Sequence, residues 1–373
     1  MRKELIKSLA IVGIGLLGSF QETLACSAFS FQKNGRVIVA KNYDWLFGHG
    51  HGAIFVYPRK TPRTAFNPNL KETDPFKWES TYGSVTFNQF GKGFPATGRN
   101  EKDLTIEALE LAQAEYNGGE SKRGVNEAQW AQYQLDMYAS TAEVLEHLEE
   151  LPVNKAYMGV HFLIADASGD TAVVEFLNGR VMAYHGESLK IPALTNNPYQ
   201  ELLDYHDSHP DEQCPASIWG ARTSENRFCT IAKGLRNVSS KSDHEVYSAL
   251  KILNAVRLNG SSHDARGEPT QWSLVHDLTD RSIYFETRDN PELRKIDLKK
   301  IDFSTLKTIL VGDMNQSGEW DMTETLVPYT DEFNASLINK NHKLLWIKWA
   351  LGWGWVDLNM VIEHGIQEAK QEL

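Results

Sequence analysis

The sequence predicts an α+β layered sandwich. Three observations carry this. Strand signals come in antiparallel runs joined by tight turns, helical periodicity falls in blocks between those runs, and no strand–helix–strand alternation of a parallel sheet is visible. The 373 residues allow one large domain or two, and no internal repeat or linker rich in Pro, Gly or Ser divides them. One domain, residues 26–340, is expected, preceded by a leader and followed by a tryptophan-rich extension, 341–373.

Residues 1–25 read as a signal peptide. Arg2, Lys3 and Lys7 precede an apolar run from Leu9 to Phe20, too short to span a bilayer. Thr23 and Ala25 suit cleavage just before Cys26; a retained N-terminal anchor is the competing reading. Removal takes three basic and two acidic residues and moves the net charge from −11 to −12. An acidic surface argues against nucleic acid and anionic lipid as partners.

The elements follow in order. Ser27 to Gln32 alternates, Asn34-Gly35 is a strong two-residue turn signal, and Arg36 to Ala40 is β-branched and apolar, so a hairpin is expected. With Lys33 opposite Arg36, Ala28 faces Lys41 and Cys26 faces Tyr43. Cys26 and Lys41 then share a sheet face, with Asp44 just beyond. Asn126 to Tyr138 carries Trp130, Tyr133, Gln134 and Met137 at helical spacing. Ser140 and Glu143 match a capping box for a helix through Glu150. Gly159–Ala165, Thr171–Leu177 and Arg180–Tyr184 read as a meander. Ser224–Leu235 reads as a helix, and Trp272–Glu286 as a hairpin turning at Asp277–Arg281.

Three cysteines are an odd number for an exported protein. Either Cys214 and Cys229 pair and leave Cys26 over, or all three are free and buried. As a mature N-terminal residue, Cys26 would carry its thiol beside a free α-amino group. That group titrates near 7.7–8.0 and can take the thiol proton without a histidine. Lys41 would favour the thiolate and Asp44 could hold the amine, which is nucleophile-and-base chemistry within one residue. The competing readings are lipidation of Cys26, against which Thr23-Leu24-Ala25 is a poor lipobox, and a disulfide to Cys26.

Cys26-Ser-Ala-Phe, Gly35 and Lys41-Asn-Tyr-Asp-Trp45 together resemble the choloylglycine hydrolase family, which includes bile salt hydrolases and penicillin V acylases. Further blocks agree in order: Asn100–Glu107, Leu194-Thr195-Asn196, Ser224–Phe228 and Thr270-Gln-Trp-Ser273, over roughly residues 26 to 315. The resemblance implies a four-layer αββα N-terminal-nucleophile (Ntn) hydrolase fold of two antiparallel sheets between helix layers. It implies cleavage of a linear C–N amide bond through a thioester on Cys26. Asp44 would orient the amine, Asn196 would donate to the oxyanion, and Arg227 would complete the charged network. Read without the family, Asn196 is a turn residue before Pro198 and Arg227 a solvated helix residue.

Two positions depart from the pattern. Lys41 stands where many relatives have Arg, keeping charge but losing the bidentate fork. Glu110 aligns where bile salt hydrolases carry Asn as a second oxyanion contact, and a carboxylate there would repel the oxyanion. Glu110 and Trp45 are the expected substrate-binding positions. The expected partner is a small N-acyl amide of bile-salt, penicillin V, N-acyl homoserine lactone or N-acyl amino acid type. No cofactor, metal, nucleic acid or integral membrane span after leader removal is expected. Acyl transfer through the same thioester, and a non-catalytic lipoprotein lipidated at Cys26, are the alternatives.

Three other features remain. Asp313 to Glu324 matches a calcium-loop pattern, but strand-like flanks favour a turn. Gly48-His-Gly-His-Gly52 reads as a loop near the pocket, with metal binding the alternative. The stretch from Leu344 to Trp355 holds four tryptophans. It is expected to dock on the domain or join subunits into a homo-oligomer.

Overall fold

The structure, a computed structural model, describes residues 26–45, 50–67, 75–118, 124–209, 223–238, 244–259 and 269–350, with side chains to 341. The leader expected at 1–25, Cys214, and Trp353 and Trp355 of the tail lie outside the described residues.

Among those residues, six strands form one sheet in the order Ala193–Leu194, Ser27–Lys33, Arg36–Asp44, Thr270–Asp277, Ser282–Thr287, Arg294–Asp297. Nine form a second, ordered Arg180–His185, Thr171–Leu177, Val160–Ala165, Thr105–Glu110, Thr97–Asn100, Ser84–Asn88, Ala53–Tyr57, Leu310–Asp313, Val327–Pro328. Every pairing in both sheets is antiparallel. The helices Tyr199–Ser208, Ser224–Val238 and Glu245–Ala255 form a layer on the six-stranded sheet. Glu127–Met137 packs on the far face of the nine-stranded sheet. This is the four-layer αββα sandwich, and each sheet is covered on both faces.

Local chemistry accounts for the elements that matter to the site. Asn34 (φ 52°) and Gly35 (φ 75°) take the left-handed conformations that a two-residue hairpin turn needs, as do Asn178 (φ 54°) and Gly179 (φ 69°). The Asn126 side chain caps Glu127–Met137 by accepting from the Ala128 and Gln129 amides. Ser140 caps a helix that runs only over Thr141–Glu146, shorter than expected. At its end His147 N donates to Val144 O and Glu150 N to His147 O, three-residue turns that replace the α-helical ladder.

Alternation was expected in Ser27–Gln32, but Ser27 to Phe31 is buried throughout because helices cover one face and the second sheet the other. Between the sheets lie Tyr43, Trp272, Phe87 and Phe285; outside the second sheet, Trp130 packs on Phe162 and Phe176. Cys229 is disulfide-bonded and Cys26 is a free thiol.

The helix Asp331–Ala350 runs unbroken across the boundary expected at 340. Asn341 is buried and donates to His51 O at 3.0 Å and Gln89 O at 2.8 Å, seating the start of the extension on the domain. No described helix is long and apolar enough to cross a membrane. In the calcium-like segment, Asp313 ends a strand, accepts from the Asn315 amide and pairs with Lys340 at 3.3 Å. Asp321 and Glu324 both pair with Lys300, so these carboxylates serve a turn and surface ion pairs.

Candidate active site

Cys26 immediately precedes the first strand and is buried. The Asn34-Gly35 turn sets the expected register: Lys33 opposite Arg36, Ala28 opposite Lys41, Ser27 opposite Asn42. The Cys26 thiol donates to the Asp44 carbonyl at 3.8 Å. Burial pushes this thiol up to about 12; Lys41 pulls it down, Asp44 adds to the rise, and Arg227 pulls it down. Such a thiol is protonated near neutral pH and requires a base to act as a nucleophile.

Four of the expected residues surround it. Arg227, buried on the helix Ser224–Val238, donates to the Cys26 carbonyl, to Ser27 Oγ at 2.8 Å and to Asn196 Oδ1 at 2.8 Å. One guanidinium thus fixes the nucleophile's backbone and the expected oxyanion donor together, a use of its fork that lysine could not reproduce. Asn196 follows the short strand Ala193–Leu194, which pairs with Ser27–Lys33. Its backbone amide donates to Ser224 Oγ at 2.8 Å and its Nδ2 to Glu110 O at 2.9 Å. With its oxygen held by Arg227, the amide nitrogen carries a second N–H for a ligand. Asp44 ends the second strand, and its carboxylate accepts the Thr270 hydroxyl from the neighbouring strand.

Lys41 is buried between the sheets. Its Nζ donates to Ala96 O at 2.6 Å and to Ala108 O, and lies 3.8 Å from Glu107 Oε2. Burial lowers its pKa, and the charges of Glu107, Cys26 and Asp44 oppose that. Glu107 in turn meets His276 Nε2 at 3.2 Å, and burial holds His276 below the usual imidazole range. Glu107 and His276 were not singled out from the sequence. Neither stands out in its strand, since Thr105–Glu110 also carries Glu110 and Thr270–Asp277 also carries Asp277.

The two expected substrate-binding positions are placed differently. Glu110 reaches Asn196 through its backbone carbonyl, an acceptor. Trp45 stacks 6.1 Å from Tyr43 and meets Phe90 edge-on at 5.1 Å, while Tyr43 stacks on Trp272 at 4.0 Å. These rings pack on one another, Tyr43 and Trp272 within the strands and Trp45 just past Asp44. Of the loop Gly48–Gly52, Gly48 and His49 lie outside the described residues; the His51 backbone amide donates to Asn341 Oδ1 at 3.1 Å. Among the described residues no group of three or more His, Cys, Asp or Glu is placed to hold a metal ion.

Comparison with known proteins agrees with this geometry. Residues 26–315 match the family model described as linear amide C–N hydrolases, choloylglycine hydrolase family. A penicillin V acylase of Pectobacterium atrosepticum is 26% identical over 339 residues, covering 81% of this chain and 88% of that protein. The solved penicillin V acylase from Agrobacterium tumefaciens shares the fold with a TM-score of 0.69 at 24% identity, covering 82% of this chain and 98% of that one. A variant of the conjugated bile acid hydrolase from Clostridium perfringens does so at 0.64 and 17%, covering 79% and 98%.

Proposed function

Because the chain belongs to the choloylglycine hydrolase family of linear amide C–N hydrolases, we propose that it is an exported N-acyl amide hydrolase whose nucleophile is Cys26, freed as the mature N-terminus by removal of residues 1–25. The observation that carries this reading is the convergence on Cys26 of Asp44, Lys41 and an Arg227 that also holds Asn196. A thiol pushed up to about 12 is nearly inert near neutral pH. Cleavage before Cys26 supplies an α-amine titrating close to 8, on the same carbon skeleton.

The α-amine takes the thiol proton as Sγ attacks the acyl carbon. The carbonyl electrons move onto oxygen, and Asn196 Nδ2–H donates to the oxyanion, a contact worth on the order of 3 kcal/mol. Collapse breaks the C–N bond, and the α-ammonium returns its proton to the leaving amine. Water then attacks the thioester with the α-amine again as base, releasing the carboxylic acid and the thiol. Asp44 orients the amine; Arg227 and Lys41 stabilise negative charge on sulfur.

Penicillin V is the first substrate to test, since the relatives include penicillin V acylases, followed by glycine- and taurine-conjugated bile acids, N-acyl homoserine lactones and N-acyl amino acids. Amine release is measured for the chain beginning at Cys26 and for its Cys26→Ser and Cys26→Ala variants. The reading expects turnover that Cys26→Ala abolishes. Turnover surviving that change would sink the mechanism. Intact mass of the exported protein separates a free Cys26 start from a diacylglyceryl adduct.

A further inference from the structure

His161 and Glu175 lie on adjacent strands of the nine-stranded sheet and are both fully buried. His161 Nδ1 is 2.8 Å from Glu175 Oε1, and its Nε2 is 2.6 Å from the Thr195 carbonyl. Both ring nitrogens therefore face oxygen acceptors. A neutral imidazole donates from one nitrogen only, so it cannot satisfy both contacts. The other way to supply a second proton is a carboxylic acid at Glu175. Either way Nε2 carries the proton given to Thr195, because a carbonyl can only accept; Glu175 Oε1 also accepts from the Tyr199 amide at 2.9 Å.

We propose that His161 is a positioning residue for Asn196, its ring oriented by Glu175 so that Nε2–H clamps the Thr195-Asn196 segment from the nine-stranded sheet. The inference rests on the reading above, in which Asn196 donates to the oxyanion. The segment is held from three directions. Leu194 pairs with Ala28 in the six-stranded sheet. Ser224 at the start of its helix accepts the Asn196 amide and binds the Thr195 hydroxyl. His161 supplies the third attachment, through the carbonyl of the peptide leading into Asn196. The other ionisable groups around this pair are Tyr184 and Tyr199, whose rings lie 4.7 Å apart beside Glu175, and Arg227 on the far side of Asn196. With the carbonyl released, Asn196 Nδ2 loses its aim, and small misplacement of a donor lowers turnover without weakening substrate binding.

Two readouts test this. Nitrogen-15 NMR of histidine side chains at neutral pH, assigned by loss of a signal in His161→Leu, should show a proton on His161 Nε2. In the chain beginning at Cys26, His161→Leu should lower kcat for the best substrate by about 10²-fold with KM little changed. A His161 with no proton on Nε2 in the unsubstituted protein, or His161→Leu with undiminished kcat, would overturn the proposal. If His161→Leu does not fold, His161→Phe, which keeps a ring but has no donor, provides the turnover comparison with the same expectation. If the unsubstituted protein turns over none of the amides, the hydrolase reading fails while the NMR still decides whether His161 Nε2–H makes the clamp.

Discussion

Two buried cation–carboxylate pairs on the nine-stranded sheet are built differently. On its helix-covered side, Arg63 Nε donates to Asp136 Oδ2 at 3.2 Å and its guanidinium lies 4.0 Å over the Tyr57 ring. Trp78 Nε1 donates to the same carboxylate at 2.8 Å and Gln132 Nε2 to its other oxygen at 2.8 Å. On the inner side, Lys41 Nζ stands 3.8 Å from Glu107, beyond a hydrogen bond, and its protons go to two backbone carbonyls. The Asp136 carboxylate takes three directional donors and joins two strands to the helix. The second pair leaves a cation whose field reaches Cys26. A buried ion pair is weak evidence of stabilisation in itself; its geometry distinguishes a fastener from a charge kept for chemistry.

Substitutions that remove one partner break this comparison most directly. Asp136→Ala strands the buried Arg63 and should cost about 3–5 kcal/mol in denaturant unfolding, with turnover per folded molecule unchanged. Lys41→Met should lower kcat by roughly 10²–10³-fold, the scale for removing one electrostatic contact to a developing anion. Combining it with Glu107→Gln should recover stability, since no buried charge is left alone, yet leave kcat low. Recovery of turnover in that double variant would make the inner pair a fastener too.

Smaller effects sharpen the picture. Burial holds His276 below the ordinary imidazole value, so the unfolded chain binds its proton more readily than the folded one. The stability this contributes is present above about pH 6.5 and is lost as pH falls below it, with a slope of up to about 1.4 kcal/mol per pH unit. Urea midpoints measured between pH 7 and 5 should show the slope, and His276→Gln should flatten it. A slope unchanged in that variant would assign it to other groups.

Much of the site was legible wherever chain neighbours decide geometry. One Asn-Gly turn fixed the register that brings Cys26, Lys41 and Asp44 together, because pairing counts outward from a two-residue loop. Asn196 and Arg227 came only through the family resemblance; nothing local ties position 196 to a helix starting at 224. The His161–Glu175 pair was within reach. Counting out from Ala165 opposite Thr171 places 161 opposite 175, a lone histidine facing a lone glutamate in two apolar strands. Glu107 and His276 had no such route, since they meet across two sheets and burial on both faces hides the alternation that would show which face each takes. Glu110 shows a different limit: alignment gives a side chain, while the contact made there is a carbonyl.

The central claim is that Cys26 becomes a nucleophile when its own α-amine is released. The most direct test compares two purified proteins with the same Cys26, one the full 373-residue chain and one beginning at Cys26, both confirmed by intact mass, for amine release from the best substrate. The account predicts that both fold and that only the chain beginning at Cys26 turns over. Equal turnover in the two would contradict it.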